Sequence, residues 1–389
     1  LPDRKFHDII ALSAMNERIF CVSVRALKNL PFYGGMEFFM KEKKKMGLAG
    51  VTVVTILAIV LVVVGIICVM RLIGKNNVYG RVTGTEAADV GTEEDGLEEN
   101  QILYNGQVYQ LNEDLITVLV MGIDKETVTE VGGQSWDAEG ELAGGQADAL
   151  FLMIINPHDK NVYIVAINRN SMADIDVFDE NGKYQGMYTK QIALQHGYGD
   201  GKEESCERQV RAVSRMFHNI PINAYAAISM DSIPELNDAL GGITVEVLDD
   251  IVYPEYDMNL HAGETVTLHG KQAYWYIRLR NENVFNSNEL RLQRQKQYLT
   301  TFAAEAKNQS TADVRVAINL YNTVSKYMVT DIDINSFTYL VTEFINYNFD
   351  VKNMYSLEGE TIQGDKFEEF YVDDDSLQEL IVKLFYEPV

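Results

Sequence analysis

Apolar positions in this chain recur in two rhythms, and the alternation between them sets the expected elements. Leu115–Met121 (LITVLVM), Ala149–Ile155 and Val162–Ile167 are short, nearly continuous apolar runs, the pattern of strands buried on both faces. The turn sequence Asn156-Pro157-His158-Asp159-Lys160-Asn161 separates the second run from the third. Pairing Asn156 with Asn161 across a hairpin puts Asp148 opposite Arg169 at its open end. An antiparallel first run brings Asp124 to that end as well. Helical spacing takes over in Ser205–Asn219, where Val210, Val213, Met216 and Phe217 share a face and Arg208, Arg211 and Arg215 form a solvated or ion-paired one. Ala224–Ser229, Thr244–Leu248 and Val266–Leu268 read as strands. Ile233–Leu240 reads as a short helix stopped by Gly241-Gly242. Three later patterns, Val314–Tyr321, Phe337–Phe344 and Leu377–Phe385, read as helices that supply packing and a substrate groove.

One apolar run is of another kind. Met46–Met70 contains no charged residue and would make roughly 36 Å of helix, enough to cross a ~30 Å hydrocarbon layer. Lys41, Lys43, Lys44 and Lys45 precede it, so a transmembrane helix over 46–71 is expected to leave residues 1–45 in the cytoplasm and the rest outside. Leu1–Gly35 reads as a cytoplasmic tail or an upstream extension of the reading frame. After the span, Glu86–Glu99 is rich in acids without a base, a self-repelling linker within 72–111; the ligand spacing of a calcium loop is missing. The expected globular part then runs over 112–307 and is followed by a helical extension over 308–389. Lys125–Ala147 is too long for a simple connection and reads as an insertion or lid.

Charge sharpens the picture. The whole chain carries −24, and the first 71 residues hold ten Lys/Arg against five Asp/Glu, so the remainder carries about −29. Such a balance argues against DNA or RNA as a partner. Three cysteines, Cys21, Cys68 and Cys206, offer no readable intrachain disulfide framework. Within this acidic chain, Ala273–Leu299 gathers basic residues. Ala273–Ile277 reads as a buried strand with Arg278 and Arg280 on one face at its end. Beyond a polar loop, Arg291, Arg294 and Gln295 stand at helical spacing on one face. Guanidinium forks match phosphate and carboxylate oxygens bidentately, which points to a specific anion site. Surface arginines paired with the abundant Asp and Glu are the alternative.

Taken in order, these stretches resemble the LytR-CpsA-Psr family of envelope proteins. The matching pieces are GID ending at Asp124, QADALFLMIINP with Asp148, INRNSM with Arg169, ALGGITVEV, LHAGETVTLHGKQAYWYIRLR and RLQRQ at Arg291–Gln295. The resemblance covers about Asn112 to Lys307. It implies an α/β domain with a central mixed sheet and helices on both faces. It also implies an enzyme that moves a glycopolymer from an undecaprenyl-pyrophosphate carrier to peptidoglycan through a phosphodiester, in a Gram-positive cell wall. Carried over by motif, Asp124 and Asp148 would associate with Mg²⁺ (or Mn²⁺). Arg169, Arg278, Arg280, Arg291 and Gln295 would act on the pyrophosphate, with Arg294 as a further substrate contact and the prenyl chain in an apolar groove. Phosphoryl transfer needs charge neutralised on the transferring and leaving oxygens, and these residue types supply it. A non-catalytic carrier-binding or envelope-sensing protein, of the transcriptional-attenuator kind, is the other expectation. Three departures stand out: Gln146 where the family commonly has Arg, Asn168-Arg169-Asn170 for Pro-Arg-Asp, and NSNEL where Gly-Asp often precedes the helix arginine.

Overall fold

Alternation with period two lets each central strand feed two layers of helix. Leu150, Leu152 and Ile154 face one side of the sheet, while Ala149, Phe151 and Met153 face the other. The computed structural model describes residues 68–80, 97–98, 100–124, 144–179, 181–281, 287–344, 346–364 and 367–389. The expected cytoplasmic segment, nearly all of the expected membrane span, residues 81–96 and 99 of the expected linker and the loop at 125–143 lie outside these residues. Among the described residues no helix is long and apolar enough to cross a membrane. The chain divides into two compact units, Leu1–Val69 and Met70–Val389, and the second carries the fold described below.

This unit begins with a helix at residues 70–80 and the hairpin β1 (Gln101–Tyr104) and β2 (Gln107–Leu111). Strands β3 (Ile116–Ile123), β4 (Ala147–Asn156) and β5 (Asn161–Ile167) follow, then the hairpin β6 (Met172–Phe178) and β7 (Tyr184–Gln191). Next come helix α1 (Glu203–Met216), β8 (Ala224–Ser229), helix α2 (Ile233–Ala239), β9 (Ile243–Glu246), β10 (Ile251–Tyr253), β11 (Met258–Leu260) and β12 (Thr265–Leu268). Helices α3 (Lys271–Arg278), α4 (Ser287–Ala312) and α5 (Val314–Val324) precede β13 (Met328–Thr330) and helix α6 (Ile334–Phe344). The chain closes with β14 (Asn348–Ser356), β15 (Gly359–Gln363), β16 (Glu368–Val372), helix α7 (Asp374–Phe385) and β17 (Tyr386–Pro388).

The central sheet has the order β13-β8-β3-β4-β5-β14 and is mixed: β3 is parallel to β8 and β5 to β14, while the other pairs are antiparallel. Val210, Val213 and Phe217 from the α1 region, with Ile381 and Phe385 of α7, cover one face. Leu292 and Leu299 of α4 cover the other. The α/β expectation therefore holds. So does the hairpin register: Asn156 pairs with Asn161, and the Asn156 Oδ1 accepts the His158 N–H at 2.9 Å to shape the turn. Gly241 and Gly242 take φ of +83° and +95° after α2, a conformation that favours glycine and ends the helix.

Three expectations fail here. Ala273–Ile277 is part of helix α3 and not a strand. Its aromatic content resembles a strand, yet its buried residues are Ala273, Tyr276 and Ile277, at i, i+3 and i+4. The segment after residue 308 does form its three expected helices, but it is no helical appendage. It contributes β13 and β14 to the two edges of the central sheet, and β17 pairs with β2. Likewise, the segment given to the acidic linker already holds a folded hairpin at 101–111.

Candidate functional site

At the open end of the β4–β5 hairpin lies a cleft of about 810 Å³. It is lined by Asp124, Gln146, Asp148, Arg169, Arg278, Arg280 and Arg291, among others. Each element delivers its residue at a terminus. Asp124 follows β3, Asp148 sits near the start of β4, and Arg169 follows β5. Arg278 ends α3, Arg280 lies two residues on, and Arg291 is in the first turns of α4. Strand and helix ends carry the site, so the packed interior holds it rigid.

The register that pairs Leu150 with Ile167 sets Asp148 against Arg169, and the two form an ion pair with side chains 7% and 15% exposed. Arg169 also donates to the Gln146 Oε1. The Gln146 N–H in turn donates to the Asp124 Oδ1 at 2.7 Å, and the Asp124 N–H reaches back to the Gln146 carbonyl at 3.2 Å. Burial pulls the Arg169 pKa down to about 9, and Arg291, Arg280 and Arg278 push the same way while Asp124 opposes them. The guanidinium stays charged at neutral pH, and four like charges face one space. An anion with several oxygens would relieve that repulsion.

Asparagines occupy two of the departure positions and act together. The Asn168 Oδ1 accepts the Asn170 N–H at 3.0 Å, which shapes the turn that presents Arg169. It also accepts the Asn288 amide at 2.5 Å, and the Asn288 Oδ1 accepts from Arg291 at 2.5 Å. The turn after β5 is thereby tied to the start of α4.

Gln295 and Arg294 are not brought into the cleft. Gln295 lines a neighbouring apolar groove with Val120, Ala149, Phe151, Ile277, Leu299 and Phe302, and its amide donates to the Ile277 carbonyl at 3.2 Å. Arg294 is 1% exposed and turns away. It donates to the carbonyls of Tyr276 and Leu279 at the end of α3 and pairs with Asp249 at 3.1 Å. Those carbonyls lack helical partners, and a cation there also complements the helix dipole. Burial lowers the Arg294 pKa, against the opposing pull of Asp249. Arg294 therefore supports the segment that carries Arg278 and Arg280 from behind.

Several cleft residues escape a reading of the sequence. Tyr253, Glu255, Tyr256 and Trp275 form one lip, with the Tyr256 and Trp275 rings 4.1 Å apart. Gln363, Phe367 and Glu368 come from the β15–β16 hairpin on another side. The run Tyr253-Pro254-Glu255-Tyr256 could have flagged the first group as an aromatic turn. Nothing in the pattern of residues 359–372 announces the second.

Among the described residues no group of three or more His, Cys, Asp or Glu is arranged to hold a metal ion. Asp124 and Asp148 both reach the cleft, and the bonds above use one oxygen of each. A hard divalent cation such as Mg²⁺ commonly takes one or two carboxylates and completes its shell with substrate phosphate and water. The two aspartates fit a site of that kind, completed by the substrate.

Comparison with known proteins follows the same lines. The model of the LytR_cpsA_psr family matches residues 78–385. The polyisoprenyl-teichoic acid–peptidoglycan teichoic acid transferase TagU of Oceanobacillus iheyensis is 25% identical over 309 residues, 77% of this chain and 86% of that protein. TagU of Enterococcus faecalis is 30% identical over 193 residues, covering 50% of this chain and 54% of its own length. The biofilm regulatory protein A of Streptococcus mutans is 26% identical over 66% of this chain and 60% of its own. In structure, TagV of Bacillus subtilis superposes with a TM-score of 0.53 at 20% identity, covering 70% of this chain and 97% of that one, a likeness of fold.

Proposed function

The chain belongs to the LytR_cpsA_psr family, and on that premise we propose that it transfers a glycopolymer from a polyprenyl-pyrophosphate carrier to peptidoglycan. One observation carries the reading: four arginines and two aspartates share a cleft that adjoins an apolar groove. The carrier's pyrophosphate would lie among Arg169, Arg278, Arg280 and Arg291, with the first isoprene units against Phe151, Leu299 and Phe302. An acceptor hydroxyl attacks the phosphorus that bears the polymer. A new phosphodiester forms, the pyrophosphate P–O bond breaks, and polyprenyl phosphate leaves. The arginines hold both phosphoryl groups in line and neutralise charge as it builds on the leaving oxygens. Asp124 and Asp148 would hold Mg²⁺ or Mn²⁺, which when bound adds charge neutralisation at the same oxygens. Arg169 keeps Asp148 oriented, and Gln146 couples Arg169 to Asp124.

The membrane placement belongs to the same reading. Met46–Met70 would anchor the protein with residues 1–45 in the cytoplasm and the cleft outside, where a membrane-bound carrier and the wall meet. A regulatory reading has one support, the name of the Streptococcus mutans relative. The two separate in one assay. Purified protein given a polyprenyl-pyrophosphate-linked oligosaccharide, a peptidoglycan fragment and Mg²⁺ should release polyprenyl phosphate and label the fragment. Binding of the lipid without any release would leave the regulatory reading standing and refute the transferase.

A further inference from the structure

We propose that Tyr256 and Trp275 form a saccharide subsite, on which the sugar joined to the carrier pyrophosphate packs its face; the proposal rests on the transferase reading above. The two rings lie 4.1 Å apart with planes 35° from parallel, and both line the cleft that holds Arg169, Arg278, Arg280 and Arg291. Tyr256 is 39% exposed, in the Pro254–Tyr256 turn between β10 and β11. That turn is well braced. The Asp257 N–H donates to the Pro254 carbonyl at 3.2 Å, Tyr253 pairs with Met258 across its base, and Ile251, Met258 and Leu260 anchor the hairpin in the interior. Trp275 comes from α3, and Tyr274 packs edge-on against it at 4.7 Å. Rings from two separate elements are thus set side by side at a polar mouth.

Spacing along α3 ties this pair to the phosphate grip. Trp275 and Arg278 stand at i and i+3, on one face and roughly 4.5 Å apart along the helix axis. The Arg278 guanidinium lies 5.4 Å from the centre of the Tyr274 ring, so one residue braces both the arginine and the indole. A pyranose bonded to phosphorus sits one ring-width beyond the phosphate, so a phosphate held at Arg278 brings that sugar within reach of Trp275. The chemistry matches as well. The C–H groups on a pyranose face carry slight positive charge and settle against the negative face of an aromatic ring, while its hydroxyls point outward. Glu255 and Gln363 line the same cleft, with groups that accept from and donate to hydroxyls. A prenyl chain has no hydroxyls for them, and the adjoining groove gives it apolar walls.

Tyr256→Ala removes the exposed ring, and Tyr256→Phe keeps it. Calorimetry on the full chain with a polyprenyl-pyrophosphate-linked disaccharide, beside bare polyprenyl pyrophosphate, separates the sugar's contribution from that of the phosphates. Tyr256→Ala should raise the Kd of the disaccharide-bearing lipid roughly 3- to 10-fold. The Kd of the bare lipid and the melting temperature should stay at wild-type values, and Tyr256→Phe should bind both lipids as the wild type does. Wild-type affinity of Tyr256→Ala for the disaccharide-bearing lipid would overturn the proposal alone. An equal loss for both lipids would also overturn it, reducing the ring to a support for Arg278. So would a raised KM for a peptidoglycan fragment with both lipid Kd values unchanged, which would give the rings to the acceptor. No binding of either lipid by the wild-type protein would overturn the functional reading and this proposal with it.

Discussion

The cleft and the groove share four elements and draw on neighbouring positions of each. On β4 the cleft takes Asp148 and the groove takes Ala149 and Phe151; at α3 the cleft takes Arg278 and the groove Ile277. Along α4 the cleft takes Arg291, and the groove takes Gln295, Leu299 and Phe302. After β3 the cleft takes Asp124, and within it the groove takes Val120 and Gly122. On these four elements, position along the element decides whether a residue lines the charged cleft or the apolar groove. Strand and helix ends leave polar groups at the mouth, while further along the same elements apolar side chains such as Phe151 and Leu299 line the groove. A ligand with a charged head and a greasy tail matches that gradient.

This contrast can be broken by mutation. The largest effect is expected from Arg294, which touches neither surface. Arg294→Ala strands Asp249 and two carbonyls at the end of α3, and should cost about 3–5 kcal/mol of stability in chemical denaturation. Normal stability in that variant would make Arg294 a ligand contact after all. Next comes Arg278→Lys, which keeps the charge and loses the fork. Loss of a charge-assisted contact is worth roughly 1.5–3 kcal/mol, so transfer should fall by about one to two decades with the melting temperature unchanged. An unchanged rate with a lowered melting temperature would make Arg278 a structural residue.

Leu299→Asn places a polar group on the groove wall. Affinity for a polyprenyl phosphate should fall by about 1–2 kcal/mol, while affinity for inorganic pyrophosphate stays the same. Equal losses for both ligands, read by calorimetry, would show that cleft and groove are not separable. The gentlest test needs no mutation. His196 is fully buried, with its Nδ1 2.9 Å from the Gly144 carbonyl, two residues before Gln146. Burial lowers its pKa, so the folded state takes up a proton less readily than the unfolded chain. Stability should therefore hold above about pH 6.5 and fall as pH drops below it. Hydrogen exchange should show this loosening at residues 144–148 before the groove strands respond. Simultaneous loosening would mean that the two regions open as one.

How much of this is legible in the sequence varies with the range of the forces involved. The β4–β5 register follows from the Asn156–Asn161 turn alone, because a short turn dictates pairing locally. That one turn is enough to bring Asp148 against Arg169, and an antiparallel β3 adds Asp124. The aromatic run before Arg278 reads as a strand because its composition masks the i, i+3, i+4 spacing of Ala273, Tyr276 and Ile277. Helical spacing groups Arg294 and Gln295 with Arg291, but spacing cannot say how an arc of about 100° per residue is divided between cleft, groove and interior. Least legible is the hairpin bearing Glu368. Its place depends on contacts with Asn170, Ser171 and Gln191, some two hundred residues earlier.

That long return has a consequence in time. Strand β14 docks beside β5, and β17 beside β2, so the last-made part of the folded unit touches its first strands. A chain that emerges N-terminus first carries Asp148 and Arg169 well before it carries Glu368. Until residue 356 is out, β5 lacks its partner at one edge of the sheet, and until residue 372 is out one wall of the cleft does not exist. Contacts of such sequence separation close slowly, and an unpaired sheet edge is prone to wrong partners meanwhile. A truncation before Glu368 would leave the cleft without that wall.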